Sequence, residues 1–121
     1  MSSAAGLAVI QPINITDFAS DVNPFHKVFG VSNAHGYSIL EFSVLTDYSD
    51  PLNNAKIRVN NRQVGAIEPS PTFFMPYTII FANSALRPGA APYNGNQDLY
   101  IIPTPGTLLQ IRNMRILYQR L

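Results

Sequence analysis

The side chains able to do chemistry in this sequence are few and widely spaced. His26 and His35 stand nine residues apart, with Asp17 and Asp21 upstream. Such donors suit either a metal ion or a pair exchanging protons near neutral pH. No His-x-x-x-His or His-Glu spacing sets two of them together, so the simpler expectation is a pair of exposed loop histidines. Asp47 and Asp50, followed by Asn53 and Asn54, offer the hard oxygens that Ca²⁺ accepts. The stretch lacks the Gly and closing Glu of an EF-hand loop, and an Asp-rich turn commonly hydrogen-bonds its own backbone instead. Glu41 and Glu68 are the only glutamates. Glycoside hydrolysis needs two carboxyl groups about 5 Å or roughly 6.5–9.5 Å apart, and nothing in the linear order pairs Glu68 with Asp98. There is no Gly-x-Ser-x-Gly and no cysteine, which removes that nucleophile motif, thiolate zinc sites, cysteine nucleophiles and disulfides. The expectation is a protein with no enzymatic activity, no catalytic residue and no cofactor, calcium at Asp47 and Asp50 being the alternative.

Loop aromatics are the more informative group. Phe73-Phe74-Met75-Pro76-Tyr77, the run Tyr93-Asn94-Gly95-Asn96-Gln97-Asp98, and Tyr48 mix flat apolar rings with amide and carboxylate groups. That mixture suits a saccharide, whose C–H faces stack on rings while its hydroxyls bind polar groups. The expected ligand contacts are Tyr93, Asn94, Asn96 and Asp98, with Tyr48 and Arg62 adjacent. The competing reading has Phe73 and Phe74 plugging one end of the fold and Tyr93 fixing its loop. The chain has no Trp, the residue with the largest stacking face. Arg58, Arg62, Arg112 and Arg115 are expected on solvated outer faces, with Arg58 or Arg112 within reach of Glu41 across a sheet.

Strands must position these residues. The strongest signal is Ala55-Lys56-Ile57-Arg58-Val59, which alternates, turns through Asn60-Asn61-Arg62-Gln63 and returns as Val64–Ile67; Asn tolerates the positive φ of a tight hairpin. Pro69, Pro71 and Pro76 make the following segment an irregular crossing, and Tyr77–Phe81 resumes as strand. Tyr37–Thr46 alternates with Leu40, Phe42 and Val44 on one face. Shorter pieces are expected at Leu7–Ile10, Ile13–Phe18, Val28–Val31 and Leu99–Ile102, with turns over Asp21–Lys27, Asn33–Gly36, Asp47–Asn54 and Pro103–Gly106. Asn83–Arg87 predicts one helical turn capped by Asn83 or Ser84 and halted by Pro88-Gly89. Thr107–Leu121 reads as strand broken near Asn113, with a short helix over 108–121 as the alternative.

Composition bounds the rest. The 121 residues fit a single core, with residues 1–6 as a flexible N-terminus and 7–121 as one domain. Only 12% of side chains are charged and the net charge is +1, so the basic stripe of a nucleic-acid binder is missing. So little charge also leaves self-association unopposed. The start of the chain lacks the basic and apolar regions of a secretory signal, and no stretch approaches the ~20 apolar residues of a membrane span. Cytoplasmic synthesis or association with a particle is the expectation. Seven to nine short strands predict an all-β, antiparallel sandwich of about eight strands with little or no helix.

The order Ile57-Arg58-Val59-Asn60-Asn61-Arg62-Gln63-Val64-Gly65, Tyr77-Thr78-Ile79-Ile80-Phe81, Leu86-Arg87-Pro88-Gly89, then Asn96 ahead of Leu99-Tyr100-Ile101 resembles galactose-binding-like jelly rolls over roughly residues 55–118. Here Asn60-Asn61 stands for that superfamily's Asn-Gly turn, and a longer insertion separates Gly89 from Asn96. The resemblance implies an eight-stranded jelly-roll sandwich among relatives that mostly bind sugars or serve as accessory domains. A non-catalytic, lectin-like carbohydrate-binding module is therefore the leading expectation. The alternative is a structural subunit that forms a homo-oligomer or part of a virion or other particle, its partner being another protein.

Overall fold

The computed structural model describes residues 7–14, 18–20, 22–46 and 54–120. The expected flexibility of residues 1–6, the calcium ligands Asp47 and Asp50, Asn53, Tyr48, and the carboxylates Asp17 and Asp21 lie outside the described residues.

Among the described residues there are nine strands and one short 3₁₀ turn. The strands are β1 (Leu7–Pro12), β2 (Phe18–Ser20), β3 (Phe25–Gly30), β4 (Ala34–Thr46), β5 (Ala55–Val59), β6 (Arg62–Ile67), β7 (Met75–Ala82), β8 (Asn96–Pro103) and β9 (Leu108–Arg120). They form two antiparallel sheets, one ordered β1-β9-β4-β7 with β2 also on β9, the other ordered β3-β8-β5-β6. Here the fold is an all-β jelly-roll sandwich. No helix among the described residues is long and apolar enough to cross a membrane.

Alternation along each strand supplies the core. β5 buries Ala55, Ile57 and Val59 and exposes Lys56 and Arg58; β8 buries Gln97, Leu99, Ile101 and Pro103. From the other sheet come Leu40, Phe42, Val44, Ile79, Phe81, Leu109, Ile111 and Ile116, all buried. Each such side chain removed from water contributes about 1.5–3 kcal/mol, and a one-residue slip would turn every one of them to solvent. The terminal segment 108–120 is therefore strand, since its apolar positions match a sheet and not a helix. Its break comes at Asn113, whose φ is +57°, where the β4–β9 register jumps from Glu41↔Arg115 to Ser43↔Arg112. Across the same bulge, β1 ends at Pro12 and Ile13 N–H bonds Met114 O at 3.0 Å, so β1 and β2 occupy successive parts of one β9 edge.

Several local expectations need correction. The hairpin turn is only Asn60-Asn61, at φ +51° and +71°, because Arg62 and Gln63 already pair with Val59 and Arg58. Phe25–Lys27, expected as turn, are strand once past Pro24. Ala34–Gly36 belong to β4, with an irregularity where Gly36 takes φ +75°. Of the strand expected at Ile13–Phe18, Ile13 and Asn14 are not strand and Phe18 lies in β2; residues 15–17 lie outside the described residues. The 3₁₀ turn Asn83–Ala85 has Ala82 at its N-cap position with no side-chain cap; Asn83 instead accepts from Ser38 Oγ. Phe73 is exposed and plugs nothing, while Phe74 lies under the Arg112 guanidinium, 3.3 Å from the ring centroid.

Two amides hold one end of the sandwich together. Gln97 is fully buried and donates from Nε2 to the carbonyls of Val31 (2.8 Å), Gly95 (3.0 Å) and Arg87 (3.1 Å). Its Oε1 accepts from Arg87 N–H and from Asn60 Nδ2, both at 2.7 Å. Asn60 also donates to Ala85 O at 2.9 Å and accepts Asp98 N–H at 2.8 Å.

Adjacent left-handed asparagines should therefore answer one substitution oppositely. Asn61 is exposed, so Asn61→Gly relieves only backbone strain and raises stability by roughly 0.5 kcal/mol. Asn60→Gly relieves the same strain but strips three hydrogen bonds, leaving a net loss of about 2–4 kcal/mol. Urea melts of both variants check the sign of each.

Candidate ligand-binding face

Side chains of even number along β8 point out of the β3-β8-β5-β6 sheet. Register sets His26, Tyr100, Arg58 and Gln63 in one row across its four strands, and Val28 beside Asp98 in the next. His26 and Tyr100 stack, their ring centroids 4.4 Å apart and their planes 3° from parallel. His26 Nε2 is 2.9 Å from Asp98 Oδ1; with the carboxylate ionised, the ring nitrogen must be the donor. Arg87 Nη1 donates to Asp98 Oδ2 at 2.7 Å, and the same guanidinium sits 4.8 Å from the Tyr93 ring centroid. Rings thus flank a pair of charges in one connected run, Tyr100, His26, Asp98, Arg87, Tyr93.

The array combines order with access. Asp98 is fixed through its backbone by Asn60, whose N–H also bonds Asp98 O at 2.9 Å. Arg87 is fixed through its backbone by Gln97. The His26 and Asp98 side chains nevertheless remain 45% and 23% exposed, and Tyr93 is exposed. Such a surface can stack on a flat apolar ligand face, donate from the guanidinium, and accept at the carboxylate and, with Nε2–H committed to Asp98, at imidazole Nδ1. The His26 hydrogen bond holds Asp98 below the ordinary aspartate range; partial burial pushes the other way, and the Arg87 bond and charges add to the lowering.

Of the sequence-predicted contacts, Tyr93 and Asp98 meet in this array through Arg87. Asn94, at φ +54°, and Asn96 are exposed and shape the turn, Asn94 N–H bonding Ala90 O and Asn96 N–H bonding Tyr93 O. Arg62 is engaged elsewhere, donating to Ser84 Oγ at 3.2 Å. His26 and His35 do not form a pair: they lie on β3 and β4, in different sheets. Glu41 is paired by Arg115 at 2.8 Å and not by Arg58 or Arg112. Among the described residues, no three metal-ligating side chains converge. The sequence reasoning missed Tyr100 and Arg87, and it weighed His26 only with His35, as a metal or proton-exchange site or an exposed loop residue. Tyr100 carried a usable signal, because Asp98 and Tyr100 are two apart on one strand and must share a face.

Neither a protein-family model nor a curated protein matches the chain by sequence. Comparison with solved structures finds the same fold in the CBM22-1 xylan-binding domain from Paenibacillus barcinonensis Xyn10C. Its TM-score is 0.63 at 10% identity, covering 99% of each chain. A structure described as "CBM4 structure and function" matches at TM-score 0.53 and 12% identity, covering 93% of this chain and 86% of that one.

Asp98 also makes stability depend on pH. Its folded-state pKa lies below the unfolded value of about 3.9, so its contribution is complete above that value and is lost as pH falls through the lower, folded one. The stability gap between the parent protein and Asp98→Asn should be equal at pH 7 and pH 5 and should close below about pH 4. Denaturant melts at pH 7, 5 and 2.5 test this; an unchanged gap at pH 2.5 contradicts it.

Proposed function

We propose that this protein is a non-catalytic carbohydrate-binding module that receives a glycan on the outer face of the β3-β8-β5-β6 sheet. The observation that carries this reading is the array of Tyr100, His26, Asp98, Arg87 and Tyr93, whose polar groups are oriented before any ligand arrives. Preorientation matters because ordering each long side chain on binding would cost about 0.5–1.5 kcal/mol. The likeness to a xylan-binding domain supports a polysaccharide as the ligand class and makes xylan the first candidate. In this reading Tyr93 and Tyr100 offer stacking faces, Asp98 and His26 Nδ1 accept from sugar hydroxyls, and Arg87 donates. Arg58 and Gln63, in the same row, extend the polar surface along the sheet. The contacts are noncovalent, and binding delivers or retains the protein at a glycan without altering it.

Affinity electrophoresis and calorimetry with xylan, mixed-linkage β-glucan and galactan test the proposal. Binding to at least one is expected, with Asp98→Ala weakening it by roughly 10- to 100-fold, the loss of hydrogen bonds to a charged group. Tyr100→Ala should weaken it by about 3- to 10-fold, the loss of a ring contact. Circular dichroism establishes that both variants remain folded. Absence of binding to every polysaccharide, or unchanged affinity in both variants, rejects the assignment.

A further inference from the structure

The opposite outer face has a different chemistry. Register across β1-β9-β4-β7 aligns Ile10, Leu117, Ile39 and Ile80 in one row that crosses all four strands. Ile10 is 59% and Ile80 62% exposed, and Tyr37, next to the row on β4, is 67% exposed. The following row reads Pro12, Arg115, Glu41 and Thr78, with Arg115 Nε bonding Glu41 Oε1 at 2.8 Å. A continuous apolar band of this kind on a solvent face marks an interaction surface.

We infer that this face packs against the same face of a second copy of the chain. The argument is self-complementarity under a two-fold axis, the symmetry of most homodimers. An axis parallel to the strands and midway between β9 and β4 exchanges left with right along each row. Leu117 then faces the partner's Ile39, and Ile10 faces the partner's Ile80. In the next row Arg115 faces the partner's Glu41, and Glu41 faces the partner's Arg115. Opposite charges therefore meet twice and no like charges oppose. Shallow hollows of about 500 Å³ lie on either side of the apolar row, one lined by Ala8, Leu117 and Gln119. With this axis the partner's Tyr37 falls over that lining. The packing is that of two aligned sheets, and a net charge of +1 per chain sets up little repulsion between copies. The inference is independent of the glycan reading, because the two outer faces lie on opposite sides of the sandwich.

Sedimentation velocity on the full chain from 1 to 200 µM tests it, with a species of twice the 13.3 kDa chain mass expected. Ile80→Asp, at an exposed position, should leave the circular dichroism spectrum and any glycan affinity unchanged while weakening association by roughly thirty-fold. Glu41→Arg alone should also weaken it, and combining Glu41→Arg with Arg115→Glu should restore the dimer, since the axis again opposes unlike charges. A monomer throughout the concentration range overturns the inference. So does a dimer indifferent to Ile80→Asp, or one that the double charge exchange fails to recover.

Discussion

The Gln97 amide is the constraint on which one end of the molecule depends. A fully buried carboxamide must satisfy two donor hydrogens and a carbonyl oxygen or lose a large part of its solvation energy. Gln97 does so by tying together four segments: the start of the β3–β4 connection at Val31, the hairpin tip at Asn60, the loop at Arg87, and Gly95 just before its own strand. The bonds act in both directions. They place Arg87 and Asp98 in the candidate site, and the same segments wall off the amide from water. In this protein, the polar residue at the end of the core is what gives the loops a defined position, since apolar contacts alone are non-directional.

Much of the architecture was legible because it rests on period two. Phe42, Ile57, Val59, Ile79 and Ile101 all reach the core expected of them, and alternation about each fixed which neighbours face out. Asn113 was readable as a break for a different reason, since a residue that tolerates positive φ in a long strand signals a bulge. The site was legible only in part. Asp98 and Tyr93 stand in one short loop-and-strand segment, whereas His26 and Arg87 reach Asp98 across 72 and 11 residues. Such approaches depend on sheet order, which local pattern does not encode. Asn23-Pro24 also disguised His26, because turn signals overran into the strand that follows.

Each outer face of the sandwich is written in the positions that the core leaves free. On one sheet those positions carry His26, Tyr100, Arg58 and Asp98; on the other they carry Ile10, Ile39, Ile80 and Leu117. Sheet geometry is the same in both, so the contrast is purely one of side-chain chemistry at equivalent pleat positions. A low charged fraction gives each face its character: one surface gathers polar groups around rings, and the other sets an aliphatic row beside the Arg115–Glu41 pair.

The pairing of β1 with β9 carries a mechanical consequence. Leu7 lies opposite Arg120 and Pro12 opposite Arg115, so the outer ends of these antiparallel neighbours sit side by side. Tension applied through Leu7 and Arg120 would pull one rung at a time, as in opening a zipper, and would never load the ladder in shear. A molecule tethered at those two points would therefore yield by peeling at low force, shedding its first strand while the layers behind it stayed packed.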